Sequence, residues 1–262
     1  MNLRQPSRGA SIALVVLGLT VACGGARPPQ TVAVPAPSVG QVVNARLPAA
    51  IAMMPLTEAN GTRTDLAAFH GKTVMIADFM SLCTDICPMI SANAASIARS
   101  LGGDGDSART ALLEISIDPH RDTPARLRAY QRLYGSAPSN WYLLRASAAD
   151  TAKLWRYFGV YVRRVSEGTA PDRDWLTGKP LTYDVAHSDD VIFLNPAGQE
   201  RFVVDGNPDA AVRTLPRILL DSLSAQGRQL LHHPDPAQDW TTSQALRVFS
   251  WLLDRPLGQA AA

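Results

Sequence analysis

Cysteine is scarce in this chain of 262 residues, occurring only as Cys23, Cys83 and Cys87. So few exclude a disulfide-built scaffold, which staples a small chain at close intervals. A block of like charge is also missing. Lys and Arg number 25 against 23 Asp and Glu, and neither sign gathers into a run, so no electrostatic footprint points to nucleic acid. There is no internal repeat at solenoid or propeller periods. The one apolar run covers residues 10–22, about a dozen residues where a membrane-spanning helix needs roughly 20. With 46% hydrophobic and 18% charged residues, the chain as a whole has the composition of a soluble folded protein.

The short apolar run reads as an export signal. Arg4 and Arg8 give the basic start, residues 11–20 the apolar stretch, and Val21-Ala22-Cys23 a small-residue cleavage site. The ending Thr20-Val21-Ala22-Cys23-Gly24-Gly25 resembles a bacterial lipoprotein signal, although Thr20 stands where that pattern usually has Leu. Cys23 is then the lipidated first mature residue, and the chain sits on the extracytoplasmic side of a bacterial cell envelope, held to the membrane by an N-terminal lipid. Four segments are expected: the signal over 1–22, a Pro/Gly/Ala-rich tether over 23–48, a folded domain over 49–224, and an extension over 225–262. With Cys23 committed to lipid, the domain keeps only Cys83 and Cys87. A lone close pair suggests metal or redox work.

Within the domain, strands and helices alternate. Asn60-Gly61 signals a hairpin turn, and residues 73–79 (TVMIADF) read as a buried strand. A helix is expected over residues 89–101, ended by Gly102-Gly103, then a strand over 110–118, then a helix with Thr123 as N-cap and Pro124 in its first turn. Further on come a strand over 141–144, a helix from the Ser147 cap to Phe158, and a strand over 160–165. Strands over 191–195 and 201–204 flank the Pro196-Ala197-Gly198 turn, followed by a helix over 209–223. Residues 227–239 read as a loop. Leu246, Phe249, Leu252 and Leu253 then give a last helix over 241–254. This order implies an α/β fold with a mixed central sheet and helices on both faces.

The chemistry concentrates in Cys83-Thr84-Asp85-Ile86-Cys87-Pro88, at a strand-to-helix junction. Pro88 fits a first helical turn, which sets Cys87 beside the unpaired amides of the positive helix end and favours thiolate. Thiolate binds metal and attacks disulfides alike, so the motif supports both chemistries, and a plain structural disulfide stays open as well. No CxxC pair is present, which removes the thioredoxin-type, haem-attachment and paired-CxxC zinc signatures. Two thiolates need a third donor to close a trigonal Cu(I) site. Of the five histidines, His70 and His120 stand in turns and His232 and His233 in the late loop. His187 stands directly before a strand, where a loop can return to the sheet end that carries the cysteines. From spacing alone it is equally a hydrogen-bonded loop residue or a ligand. Asp118 and Asp122 are explained by turn and cap chemistry, Asp85 as a solvated turn residue, and Met80 and Met89 as core filling.

Four segments together resemble the Sco/SenC family of copper-binding cytochrome c oxidase assembly proteins. They are Phe69-His70-Gly71-Lys72, the CxxxCP motif, the stretch from Ser116 through Asp118-Pro119-His120-Arg121-Asp122-Thr123-Pro124, and His187-Ser188 followed by Ile192-Phe193-Leu194-Asn195-Pro196-Ala197-Gly198. The resemblance covers about residues 56–223. It implies a thioredoxin-like fold and copper ligands at Cys83, Cys87 and His187. It also implies delivery of copper by ligand exchange to the dinuclear copper centre of cytochrome c oxidase subunit II, or to another extracytoplasmic copper protein, without enzyme turnover. The same cysteines are expected to cycle between dithiol and disulfide, reducing the recipient's cysteines and being reset by a thiol reductant. The competing reading is a metal-independent thiol-disulfide oxidoreductase or peroxidase acting through Cys83 and Cys87. Thr84 replaces the Pro frequent after the first cysteine, and the residues beyond 223 lie outside the resemblance.

Overall fold

The structure, a computed structural model, describes Met1 and residues 31–257. Residues 2–22, read as an export signal, and Cys23, read as the lipid attachment, lie outside the described residues. The strands are β1 Gln41–Arg46, β2 Leu56–Glu58, β3 Arg63–Thr64, β4 Thr73–Phe79, β5 Thr110–Ser116, β6 Trp141–Arg145, β7 Val162–Val165, β8 Asp184–His187, β9 Asp190–Leu194, β10 Gln199–Asp205, β11 Pro208–Asp209 and β12 Trp240–Thr241. The helices are α1 Ala49–Ala52, α2 Cys87–Gly103, α3 Pro124–Leu133, α4 Ala148–Phe158, α5 Arg217–Ser222, α6 Ala225–His232 and α7 Thr242–Leu252. Among the described residues, no helix is long and apolar enough to cross a membrane.

Eight strands form one sheet in the order β1-β10-β9-β4-β5-β6-β2-β3. β4, β5 and β6 run parallel, and the remaining pairs are antiparallel, so the sheet is mixed. Every residue of β4 and β5 is buried. Because successive side chains of a strand point to opposite faces, complete burial means that both faces are covered there. The α/β expectation with a central mixed sheet therefore holds. The caps hold as well: Thr123 and Ser147 accept the backbone N–H groups of Arg126 and Asp150 at the starts of α3 and α4.

Three expectations need correction. Residues 41–46, read as tether, are an edge strand paired with β10. None of its six residues is buried, so ladder hydrogen bonds hold it and no apolar period could reveal it. The helix expected over 209–223 is broken into β11, a 3-10 turn at Val212–Thr214 and α5. Pro216 explains the break, because it disfavours helical backbone at Leu215, which is extended. The stretch read as a loop over 227–239 contains most of α6, capped by the Ser224 hydroxyl, which accepts from Gly227 N–H. Its inward positions are a glycine and a leucine, Gly227 and Leu231, too little apolar content to announce a helix.

The last helix, α7, forms as expected and is integral to the core. Thr241 caps it in a reciprocal box with Gln244. Phe249 is fully buried, with its ring edge against Phe193 of β9 at 5.5 Å between centroids.

Candidate metal centre

β4 ends at Phe79 and α2 begins at Cys87. The seven intervening residues form the loop that carries Cys83. Hydrogen bonds pin this loop near its start at Ser81 and in its middle at Thr84. The Asp122 carboxylate accepts from Ser81 N–H and Oγ and from Ser116 Oγ, and the Trp175 indole donates to Ser81 carbonyl oxygen at 2.6 Å. The Thr84 hydroxyl donates to Asp172 at 2.6 Å. Asp122 is thus structural, as expected, although its partner is the cysteine loop rather than its own turn.

The two thiols are unequal. Cys83 Sγ accepts the backbone N–H of Cys87 and of Asp85, each at 3.4 Å. The Cys87 thiol, His187 and the Cys87 amide bring the Cys83 pKa down to about 6 against the penalty of burial. Cys87 is 0% exposed; burial and the neighbouring Cys83 sulfur push its pKa up. The expectation that the helix end favours thiolate at Cys87 is therefore reversed. Cys87 is the first residue of α2, and its own N–H is spent on Cys83. Both cysteines are free thiols in this structure.

His187, the last residue of β8, turns one edge of its ring toward the sulfurs. Its Nε2 lies 3.8 Å from Cys87 Sγ. Nδ1 faces the other way, 2.7 Å from Asp78 Oδ2 and 3.2 Å from Asp189 Oδ1, with the Ser188 carbonyl oxygen at 3.1 Å. Burial alone would lower the imidazole pKa, but the Asp189 and Asp78 carboxylates and the Cys83 sulfur raise it. Asp78 is itself 0% exposed, and burial raises its pKa against the pull of His187. The carboxylates hold a proton on Nδ1 and turn Nε2 toward the cysteines, so Nε2 is the nitrogen that a metal takes in exchange for its proton, with the outer arrangement usual around a metal-binding histidine.

The two Sγ atoms and one His187 nitrogen lie within 4.8 Å of one another. Metal–donor bonds of about 2.0–2.3 Å place the donors of a trigonal or tetrahedral set roughly 3.3–4 Å apart, so a small inward adjustment closes the site. Two thiolates and an imidazole are soft and borderline donors, which suit Cu(I) and disfavour hard cations; the group can hold copper. Asp78, His187 and Asp189 form a second compact group, but it draws on Nδ1, the nitrogen that carries the proton. Cys83 and His187 line a cleft of about 330 Å³ between β8 and α6, and Cys87 lies buried behind them. A larger cavity of about 580 Å³, between α4 and the β7–β8 ribbon, contains neither cysteine.

Sequence reasoning brought together Cys83, Cys87 and His187, and the structure places them together. His70, His120, His232 and His233 are exposed, as expected. It missed Asp78 and Asp189. Asp78 had a signal: an ionisable residue inside an otherwise apolar strand needs a partner. Asp189 had none beyond its nearness to His187.

A family model described as SCO1/SenC matches residues 49–218. Among solved structures, a SCO1/SenC family lipoprotein from Bacillus anthracis str. Ames is 20% identical, with a TM-score of 0.52 over 70% of this chain and 97% of that one. Copper-bound ScoI of Bradyrhizobium japonicum is 27% identical, with a TM-score of 0.46 over 59% and 87% of the two chains. BsSco, a member of the Sco family of cytochrome c oxidase assembly proteins in which a disulfide switch is identified, is 18% identical, with a TM-score of 0.47 over 65% and 90%. Among curated proteins no sequence matches the chain significantly.

Proposed function

The chain belongs to the SCO1/SenC family, and from that premise we propose that it binds copper through Cys83, Cys87 and His187 and delivers it to the dinuclear copper site of cytochrome c oxidase during assembly. The observation that carries this reading is the convergence of two buried sulfurs and an imidazole Nε2 whose opposite nitrogen is held by Asp78 and Asp189. Disulfide exchange would draw on this imidazole only to stabilise the Cys83 thiolate, whereas a metal site also uses an Nε2 aimed between two sulfurs as a third ligand. Copper is the cargo. With Cys83 at the edge of a cleft and Cys87 fully buried, an incoming thiolate from the recipient displaces Cys83 first, and the metal passes by stepwise ligand exchange without being released.

A second reading rests on the low pKa of Cys83. Its thiolate attacks a disulfide of the recipient, forming a mixed disulfide and releasing one recipient thiolate. Cys87 then attacks the Cys83 sulfur, leaving the recipient reduced by two electrons and this pair oxidised. The two activities exclude each other at any moment, since the pair either holds metal or holds a disulfide. Reducing the recipient's cysteines before loading them makes the two readings successive steps of one task, with an extracytoplasmic thiol reductant resetting the pair.

The same proposal takes residues 1–22 as an export signal and Cys23 as the lipid attachment. Residues 23–40 then form the spacer that ends where β1 joins the sheet. This arrangement holds the site on the extracytoplasmic face of a bacterial membrane, where the copper-receiving domain of an oxidase is exposed.

The test uses the reduced protein with Cu(I) and Cu(II) in competition against chelators of known affinity, followed by mixing with the apo copper domain of subunit II. His187→Ala is expected to weaken Cu(II) binding by more than tenfold, and the wild type to hand copper to the apo domain. Unchanged Cu(II) affinity in the variant would refute the three-ligand site. Retention of all copper by the donor would refute delivery.

A further inference from the structure

The family match ends at residue 218, yet the next elements lie against the cysteine loop. Leu223 is buried. Ser224 N–H donates to the Thr84 carbonyl oxygen at 2.9 Å, and the Ser224 hydroxyl donates to the Asp85 carboxylate. The same hydroxyl accepts Gly227 N–H at 3.0 Å and so caps α6. One side chain thus joins the start of the helix to the residues between the two cysteines. Asp85, read from sequence as a solvated turn residue, is a partner in this joint.

Gly227 makes the closest approach. A Cβ built there would fall 2.4 Å from the Thr84 carbonyl oxygen and 2.9 Å from Asp85 Cα. Both are backbone atoms, which cannot swing aside, so glycine is what lets α6 seat on the loop. One position before it and three after it, Gln226 and Leu230 line the cleft over Cys83 and His187, opposite Asp184 and Ala186. Positions i and i+4 share a face of a helix, so this pair forms a wall. The far end of the segment is tied down as well: β12 pairs with β11, and Asn207 Nδ2 donates to Asp239 at 3.3 Å.

We propose that Ser224 and α6 are a working part of the metal site: Ser224 and Gly227 fix the Thr84–Asp85 backbone, and Gln226 and Leu230 form the wall that decides how large a partner group reaches the Cys83 sulfur. The proposal concerns the same site as the copper reading and deepens it, but the geometry it uses is that of the metal-free dithiol.

The experiment measures alkylation of Cys83 in the reduced, metal-free full chain, with peptide mass spectrometry separating Cys83 from Cys23 and Cys87. Two reagents are compared, iodoacetamide and a maleimide carrying a bulky polymer. In the wild type the bulky reagent is expected to lag well behind the small one. Leu230→Ala, which shortens the wall and keeps the Ser224 and Gly227 contacts, is expected to raise the bulky rate severalfold and leave the small rate near wild type. Ser224→Ala is expected to raise both rates and to lower Cu(I) affinity about tenfold, in the range of outer contacts around metal ligands, with Ser224→Thr restoring both. Wild-type rates with both reagents in Leu230→Ala and Ser224→Ala would overturn the proposal, whatever Ser224→Ala does to stability. Absence of copper binding in every variant including the wild type would refute the copper reading, while the alkylation rates still decide the role of α6.

Discussion

Glu114 offers a test in which the magnitude follows from its surroundings. It lies in the middle of β5, is 1% exposed, and accepts a hydrogen bond from Ser91 Oγ of α2 at 2.8 Å. Ser91 is one turn along the helix whose first residue is Cys87. Burial pushes the Glu114 pKa up to about 8 from an ordinary 4.5, with the Ser91 and Trp141 side chains pulling weakly the other way. The folded protein therefore keeps this carboxyl neutral at a pH where the unfolded chain ionises it. Between the two pKa values the folded state binds the extra proton, so stability is full below pH 4.5 and falls as pH rises toward 8. Each pH unit in that interval removes about 1.4 kcal/mol, and the whole interval about 5 kcal/mol. Glu114→Gln keeps the shape and cannot ionise. Its melting temperature is expected to match wild type near pH 5 and to exceed it by about 10 °C at pH 8, at a few degrees per kcal/mol for a domain of this size. The measurement is a thermal melt of both proteins from pH 5 to pH 8, taken as a difference so that other titrating groups cancel. Parallel curves, or a variant less stable at every pH, would refute the reasoning.

Other perturbations probe the site and its support. Asp78→Asn leaves a neutral group beside His187 Nδ1 and is expected to weaken Cu(II) binding by about 10–100-fold while preserving the circular dichroism spectrum; chelator competition reads it, and wild-type affinity would show that Asp78 does not orient the ring. The alkylation rate of Cys83 is expected to rise with pH through an inflection near 6, since the reactive thiolate is lost below that value. An inflection near that of an ordinary thiol would show that Cys87 and His187 do not stabilise the anion. Phe249→Ala removes a fully buried ring from the contact between α7 and β9 and is expected to cost about 3–5 kcal/mol in chemical denaturation; a cost under about 1 kcal/mol would mean that α7 is not part of the core.

Much of this architecture is legible where local chemistry and tertiary burial agree. β4 is apolar but for Thr73 and Asp78 because it lies at the centre of a sheet covered on both faces, and α3 and α4 begin at caps whose side chains make the expected bonds. The elements that escape the sequence are those held by something other than an apolar stripe. β1 pairs through its backbone, and α6 is seated by a glycine and a serine against the backbone of a loop more than 130 residues earlier. The same limit applies to the metal centre. The spacing of Cys83 and Cys87 marks the chemistry, but which thiol is the anion depends on where the Cys87 N–H points. His187 becomes persuasive as a ligand once Asp78 and Asp189 are found behind its Nδ1.

The central claim is that Cys83, Cys87 and His187 together coordinate copper, and copper K-edge X-ray absorption on the reduced protein loaded with one equivalent tests it most directly. The account predicts two sulfur scatterers and one imidazole nitrogen per copper in the wild type, with the imidazole signal lost in His187→Ala and one sulfur lost in Cys83→Ser. A copper shell without imidazole in the wild type, or one unchanged by His187→Ala, would contradict it.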